Sequence, residues 1–145
     1  MIEPPGPHDP NGLVIEALLA ACPSFADSWR DHVAGPYGQI GPYVDSGVFA
    51  QHLVGLLEAN RTNEFAAVFA AIERLLIDGD DGIRYLVAFG LIEDVQNISS
   101  NRHDWAFAAR FREWLTPTTL VAWDEVHRVW GTSDPGAAPG DVPEQ

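Results

Sequence analysis

Residues 62–97, TNEFAAVFAAIERLLIDGDDGIRYLVAFGLIEDVQN, restrict the fold of this chain more than any other stretch. Phe65, Val68, Phe69, Ile72, Leu75 and Leu76 recur at helical spacing and make one apolar stripe, with Ala67, Ala71 and Arg74 on the opposite side. Gly79 is expected to stop this helix in a left-handed conformation, which only glycine adopts without a Cβ penalty. Asp80 is placed to cap the next helix by accepting from backbone N–H groups that lack an intrahelical partner. So short a connection predicts a helical hairpin.

The second helix of the hairpin has two apolar sides. Ile83, Leu86, Val87, Gly90 and Leu91 form one stripe, while Tyr85, Phe89 and Ile92 project from the other. A helix apolar all round is buried all round, so it is expected at the centre of the domain. Gly90 lies mid-stripe, at a cost of roughly 1 kcal/mol relative to alanine, which the close approach of another helix would offset. Asp94 falls on the same stripe and is expected to be a structural polar residue, capping a helix or accepting from a tryptophan N–H.

Around the hairpin the chain reads as further short helices. Residues 1–10 are proline-rich and expected to be a disordered N-terminal arm, with a helical domain over 11–131 and a disordered tail over 132–145. Asn11–Ala21 reads as a helix with Leu13, Ala17, Leu18 and Ala21 inward. Ser24 is expected to cap the next helix, with Asp27 three residues on, and that helix ends near Gly35-Pro36. A Gly-Pro-Tyr unit occurs twice in 35–44 and reads as an ordered loop that packs Tyr37 and Tyr43 onto the domain. Asp45 or Ser46 is expected to begin a helix carrying Phe49, Leu53, Leu56 and Leu57. After the hairpin, Trp105, Ala108, Phe111 and Leu115 share a face, and Thr116-Pro117 is a good helix start. These patterns predict an all-α, single-domain irregular bundle of about seven short helices in HEAT-like antiparallel pairs.

Charge narrows the partners. Twenty-one acids against eight basic residues, all arginine, give a formal charge of −13. Such a balance repels nucleic-acid phosphates and anionic membrane surfaces, and it favours a basic protein partner or merely serves solubility. The lone Cys22 excludes an internal disulfide or a multi-cysteine metal site. No apolar run approaches the roughly 18 residues of a membrane span, and a cytoplasmic location is expected.

Catalytic patterns are sparse. The turn Asp78-Gly79-Asp80-Asp81-Gly82 fails the calcium-loop pattern, because glycine and isoleucine stand at its fifth and sixth positions. The five histidines form no i, i+4 pair with one another, and no nucleophile elbow, P-loop or dinucleotide fingerprint is present. No catalytic, cofactor-binding or metal-ligating residue is assigned. Glu73, Glu93 and Asp94 are the acids that would build a carboxylate site, metal-assisted or not, if the chain were a hydrolase.

Glu73-Arg74-Leu75-Leu76 with Gly79-Asp80, followed by Gly90-Leu91, Glu93-Asp94 and Gln96-Asn97, resembles the ERLLxxGD…GLxEDxQN pattern of an uncharacterised bacterial family of small acidic all-helical proteins. The ACPSF start and the WLTP…AW end are similar too, so the resemblance covers nearly all of the helical domain. It implies a helical fold and an immunity-protein-like role. The expected function is therefore non-enzymatic binding of a basic partner or toxin, through Glu73, Asp78, Asp80 and Asp81. The alternative is an oligomerising helical scaffold that uses Tyr85, Phe89 and Ile92 as an exposed apolar patch.

Overall fold

A computed structural model of the chain describes residues 10–36 and 41–130. They form α1 (Pro10–Ala21), α2 (Ala26–Ala34), α3 (Pro42–Glu58), α4 (Phe65–Asp78), α5 (Asp81–Leu86), α6 (Glu93–Arg102), α7 (Trp105–Ala109) and α8 (Pro117–Trp130). Short 3-10 turns at Pro23–Phe25 and Arg110–Trp114 precede α2 and follow α7, and a π-helical turn, Val87–Ile92, joins α5 to α6 without a break. With that joined rod counted once, the described residues make seven helical rods and no strand. The chain is an all-α, single-domain bundle. The expected N-terminal arm, Tyr37 and the expected tail lie outside the described residues, except that α1 already begins at Pro10.

The central rod is where the hairpin reading placed it. Ile83, Leu86, Val87, Leu91 and Ile92 are all buried. The rod packs chiefly against α3 and also meets α8, α4 and α1. Gly90 explains the closeness to α3, since a Cβ there would lie 3.1 Å from Tyr43 Cδ1 and 3.2 Å from Ser46 Oγ. Tyr85 departs from the all-round burial expected: it is 58% exposed, whereas Ile92 is 2% exposed and so no part of a surface patch.

Aromatic rings fill the rest of the core. Phe65 stacks on Phe111 at 5.7 Å and meets Trp114 edge-on at 4.9 Å, tying α4 to the turn after α7. Phe25 meets Phe49 edge-on at 4.9 Å, which fixes the α1–α2 turn on α3. Truncating a buried phenylalanine of this kind typically costs about 3–5 kcal/mol.

Several boundaries differ from the sequence reading for identifiable reasons. Gly79 is extended, not left-handed, at φ −72° and ψ 157°. Its requirement is steric: a Cβ would lie 2.4 Å from Leu75 O and 2.5 Å from Ile83 Cγ2. The left-handed stop belongs instead to Asn60, at φ 58°. There the N–H groups of Arg61 and Asn60 donate to Leu56 O and Leu57 O at 2.8 and 3.0 Å, closing α3 with a Schellman motif. Helix α3 starts at Pro42, the first-turn position that proline tolerates, three residues before the expected Asp45. That shift puts Tyr43 in a helix and makes Asp45 and Ser46 buried interior residues. In α1 the inward residues are Val14, Ile15 and Leu18, while Leu13 is exposed.

Candidate partner-binding face

The acidic turn between α4 and α5 is built as expected at its centre. Asp80 Oδ1 accepts from the Ile83 N–H at 2.9 Å and caps α5. Its neighbours are already paired, because the guanidinium of Arg74 donates to Asp78 and that of Arg84 to Asp81. Three carboxylates therefore meet two guanidiniums, and the turn is far less negative than its sequence. Both pairs are solvent-exposed, and exposed pairs of this kind contribute about 0–1 kcal/mol.

Glu73 does not join that cluster. Its carboxylate lies at the N-terminus of α8, where Oε1 accepts from Thr116 Oγ1 at 2.5 Å and from Thr119 N and Oγ1 at 2.8 Å each. Oε2 accepts from Thr118 N at 3.0 Å. Burial alone would raise the carboxyl's pKa, but these donors outweigh it and hold the pKa at about 2. Glu73 is thus a capping residue for a helix 43 or more positions along the chain, and it stands apart from the acidic turn with which it was grouped.

Asp94 is partly buried and, among the described residues, accepts no hydrogen bond from a helix end or a tryptophan. Its Oδ2 lies over α3, 3.1 Å from where a Cβ of Gly47 would stand. Desolvation, and then the charge of Glu93, push its pKa up to about 6, and burial raises Glu93 too. Glu73, engaged at α8, does not form a three-carboxylate site with this pair. No group of three or more His, Cys, Asp or Glu side chains able to hold a metal occurs among the described residues.

A second polar cluster, not foreseen from sequence, joins residues from three elements. Ser24 Oγ lies 2.5 Å from Glu64 Oε1 and 2.9 Å from His52 Nε2, while its N–H donates to Glu64 Oε2 at 3.1 Å. The carboxylate only accepts, so the serine proton points to Glu64 and His52 Nε2–H donates to the serine. A nucleophile relay needs the reverse order, with serine donating to imidazole and the acid holding the other ring nitrogen. Burial raises the Glu64 pKa, but the donors from Ser24 and Cys22 outweigh it and leave the carboxyl lowered, a poor base. The Cys22 thiol donates to the same oxygen at 3.4 Å and is pushed up to about 11, chiefly by burial, so it is inert. The cluster is a clasp: it draws Ser24 into a tether between the α1–α2 turn, α3 and the start of α4, in place of the cap expected for α2.

The surface that brings predicted residues together lies between the rod and α8. A groove of about 340 Å³ is lined by Leu76, Tyr85, Ala88, Phe89, Val121 and Ala122, with Asp81, Arg84 and Glu125 also on its walls. Tyr85 and Phe89 form a ridge, their rings 4.9 Å apart. Val121 on the facing helix is 68% exposed. Asp81 from the expected acidic interface and Tyr85 and Phe89 from the expected apolar patch thus share one groove. Sequence spacing kept them apart because the groove's other wall comes from α8, some 35 residues later. No helix of the described residues is long and apolar enough to cross a membrane.

No curated protein and no solved structure matches the chain. A family model does, over residues 15–131, which span every helix from the middle of α1 through α8. By that match the chain belongs to a family described as a domain of unknown function, DUF7674.

Proposed function

We propose that this is a non-enzymatic binding domain whose partner is a basic protein, held in the groove between the rod and α8. The observation that carries the reading is the meeting of Tyr85, Phe89 and Val121 on one surface, rimmed by Asp81 and Glu125, each held by an arginine of its own helix. Aromatic and aliphatic side chains left exposed together supply the desolvated centre of an interface, and a charged rim supplies orientation and rate. A formal charge of −13 acts at longer range and speeds encounter with a cationic partner. In its finer form the reading is an immunity-type neutraliser of a basic toxin in the bacterial cytoplasm, supported by acidity and by the sequence resemblance.

The test is capture of a basic partner at low and at high salt by the wild-type protein and by Val121→Glu. Val121 is so exposed that this variant should fold normally. The expected result is a partner retained at low salt, weakened at high salt and lost in the variant. A partner captured equally by both proteins would move the interface away from the groove.

Self-association draws on the same observation, since an apolar ridge on one copy can cover that of another. Sedimentation of the isolated protein decides: a salt-insensitive dimer abolished by Val121→Glu favours the scaffold, and a monomer removes it.

A further inference from the structure

We propose that the seam between the first turn of α3 and the start of α6 takes a lysine or arginine side chain of the partner, with Tyr43, Tyr85 and Phe89 along its stem and Asp94 and Glu93 at its charged end. The inference rests on the basic-partner reading and names the chemical group that the partner would present.

Three observations converge on it. First, two glycines let the helices nest: Gly90 faces Tyr43, and Gly47 faces Asp94 Oδ2, each about 3.1 Å from an imagined Cβ. Tyr43 and Gly47 are one turn apart on α3, as Gly90 and Asp94 are on the rod. The two contact points therefore stand roughly 5.4 Å apart along α3, within the span of one long basic side chain. Second, the rings are available. Tyr43 is 48% and Tyr85 58% exposed, and the Tyr43 phenol is raised first by desolvation and then by the nearby Tyr85. Exposed aromatic faces attract guanidinium and ammonium groups. Third, the carboxylates here lack the internal cation that others have. Asp81, Asp124 and Glu125 each pair with an arginine of their own chain, whereas no ion pair engages Glu93 or Asp94 among the described residues. Asp45, also on α3, is bound to His32 at 2.8 Å and so does not share the lack of a partner seen at Glu93 and Asp94. A planar guanidinium satisfies both demands at once, stacking on a ring while donating to a carboxylate.

The probe is Nα-acetyl-arginine amide, with Nα-acetyl-norleucine amide as the neutral control, titrated into the full chain and followed by NMR. Arginine amide is expected to lower the Asp94 carboxyl midpoint by roughly half a pH unit or more, as an approaching opposite charge does. It should also shift the Tyr43 and Tyr85 ring signals, and norleucine amide should do neither. Gly47→Ala keeps both carboxylates but puts a methyl against Asp94 Oδ2, and it should weaken the response severalfold. The near-isosteric Asp94→Asn should abolish the ring shifts and covers the case in which Gly47→Ala fails to fold. Equal ring shifts from the two amides, or shifts that persist in Asp94→Asn, would overturn the seam. If wild-type protein still captures a basic partner salt-sensitively while Asp94 ignores arginine, the seam is wrong and the binding reading stands. Failure of capture by wild-type protein removes the partner reading itself.

Discussion

Two carboxylates in this chain look alike in sequence and behave in opposite ways. Glu73 has four donors and a pKa of about 2, against an ordinary value of 4.5. Its contribution is fully present above pH 4.5 and is lost as the pH falls through its folded pKa. Glu73→Ala should cost about 1–2 kcal/mol at pH 7, the range of a lost helix cap, and that difference should narrow below pH 4. Asp94 is raised to about 6 from 3.8, so the unfolded chain ionises first, and stability falls as the pH rises from 3.8 to 6. Asp94→Asn should therefore stabilise the fold at pH 7.5 by about 1–2 kcal/mol, less than the full shift implies because solvent reaches the side chain. The gain should vanish near pH 3.5. Urea unfolding at three pH values reads both effects, and a destabilised Asp94→Asn at pH 7.5 would show that the ionised carboxylate has a partner in the fold. Neither role was legible in sequence. Glu73 projects from a helix whose pattern gives it no special position, and its donors arrive with Thr116–Thr119. The surroundings of Asp94 depend on Gly47, where periodicity shows only a missing side chain.

At the scale of elements, the hairpin was legible because its apolar spacing and its Asp80 cap are local. What spacing could not show was the kind of glycine at Gly79. The turn needs it for want of room and not for a positive φ, because Leu75 O and Ile83 crowd the position. Gly79→Ala should destabilise by about 1–3 kcal/mol, the usual cost of overpacking, and Gly79→Asn should be no milder. Were the position left-handed in solution, asparagine would be the better tolerated of the two. The π turn was likewise hidden. It adds a residue to one turn, and an apolar run such as Val87–Ile92 is buried on either register. Such turns often mark functional sites, and this one carries Phe89 of the ridge and Gly90 of the α3 contact. The early start of α3 follows from Pro42, whose aptness for a first turn was obscured by the Gly-Pro-Tyr repetition around it.

For the whole molecule, the sequence showed an all-α domain and a large negative charge but not the distribution of that charge. Arginines sit three or four positions from Asp27, Asp78, Asp81 and Glu125 and neutralise them within their own helices. The acidic turn, the most conspicuous charged feature of the chain, is largely balanced in three dimensions. The groove, spread over three stretches of sequence, gathers the exposed Tyr85 and Val121, the partly buried Phe89 and acids on its rim. The groove between the rod and α8 is the proposed binding face. Hydrogen exchange of the protein, alone and with its captured basic partner, tests this most directly. Added protection over 81–89 and 118–125, with α1 and α2 unchanged, is the result the groove predicts. Protection confined to the surface of Trp29, Arg30 and Val33, where α2 lines a second apolar groove, would contradict it.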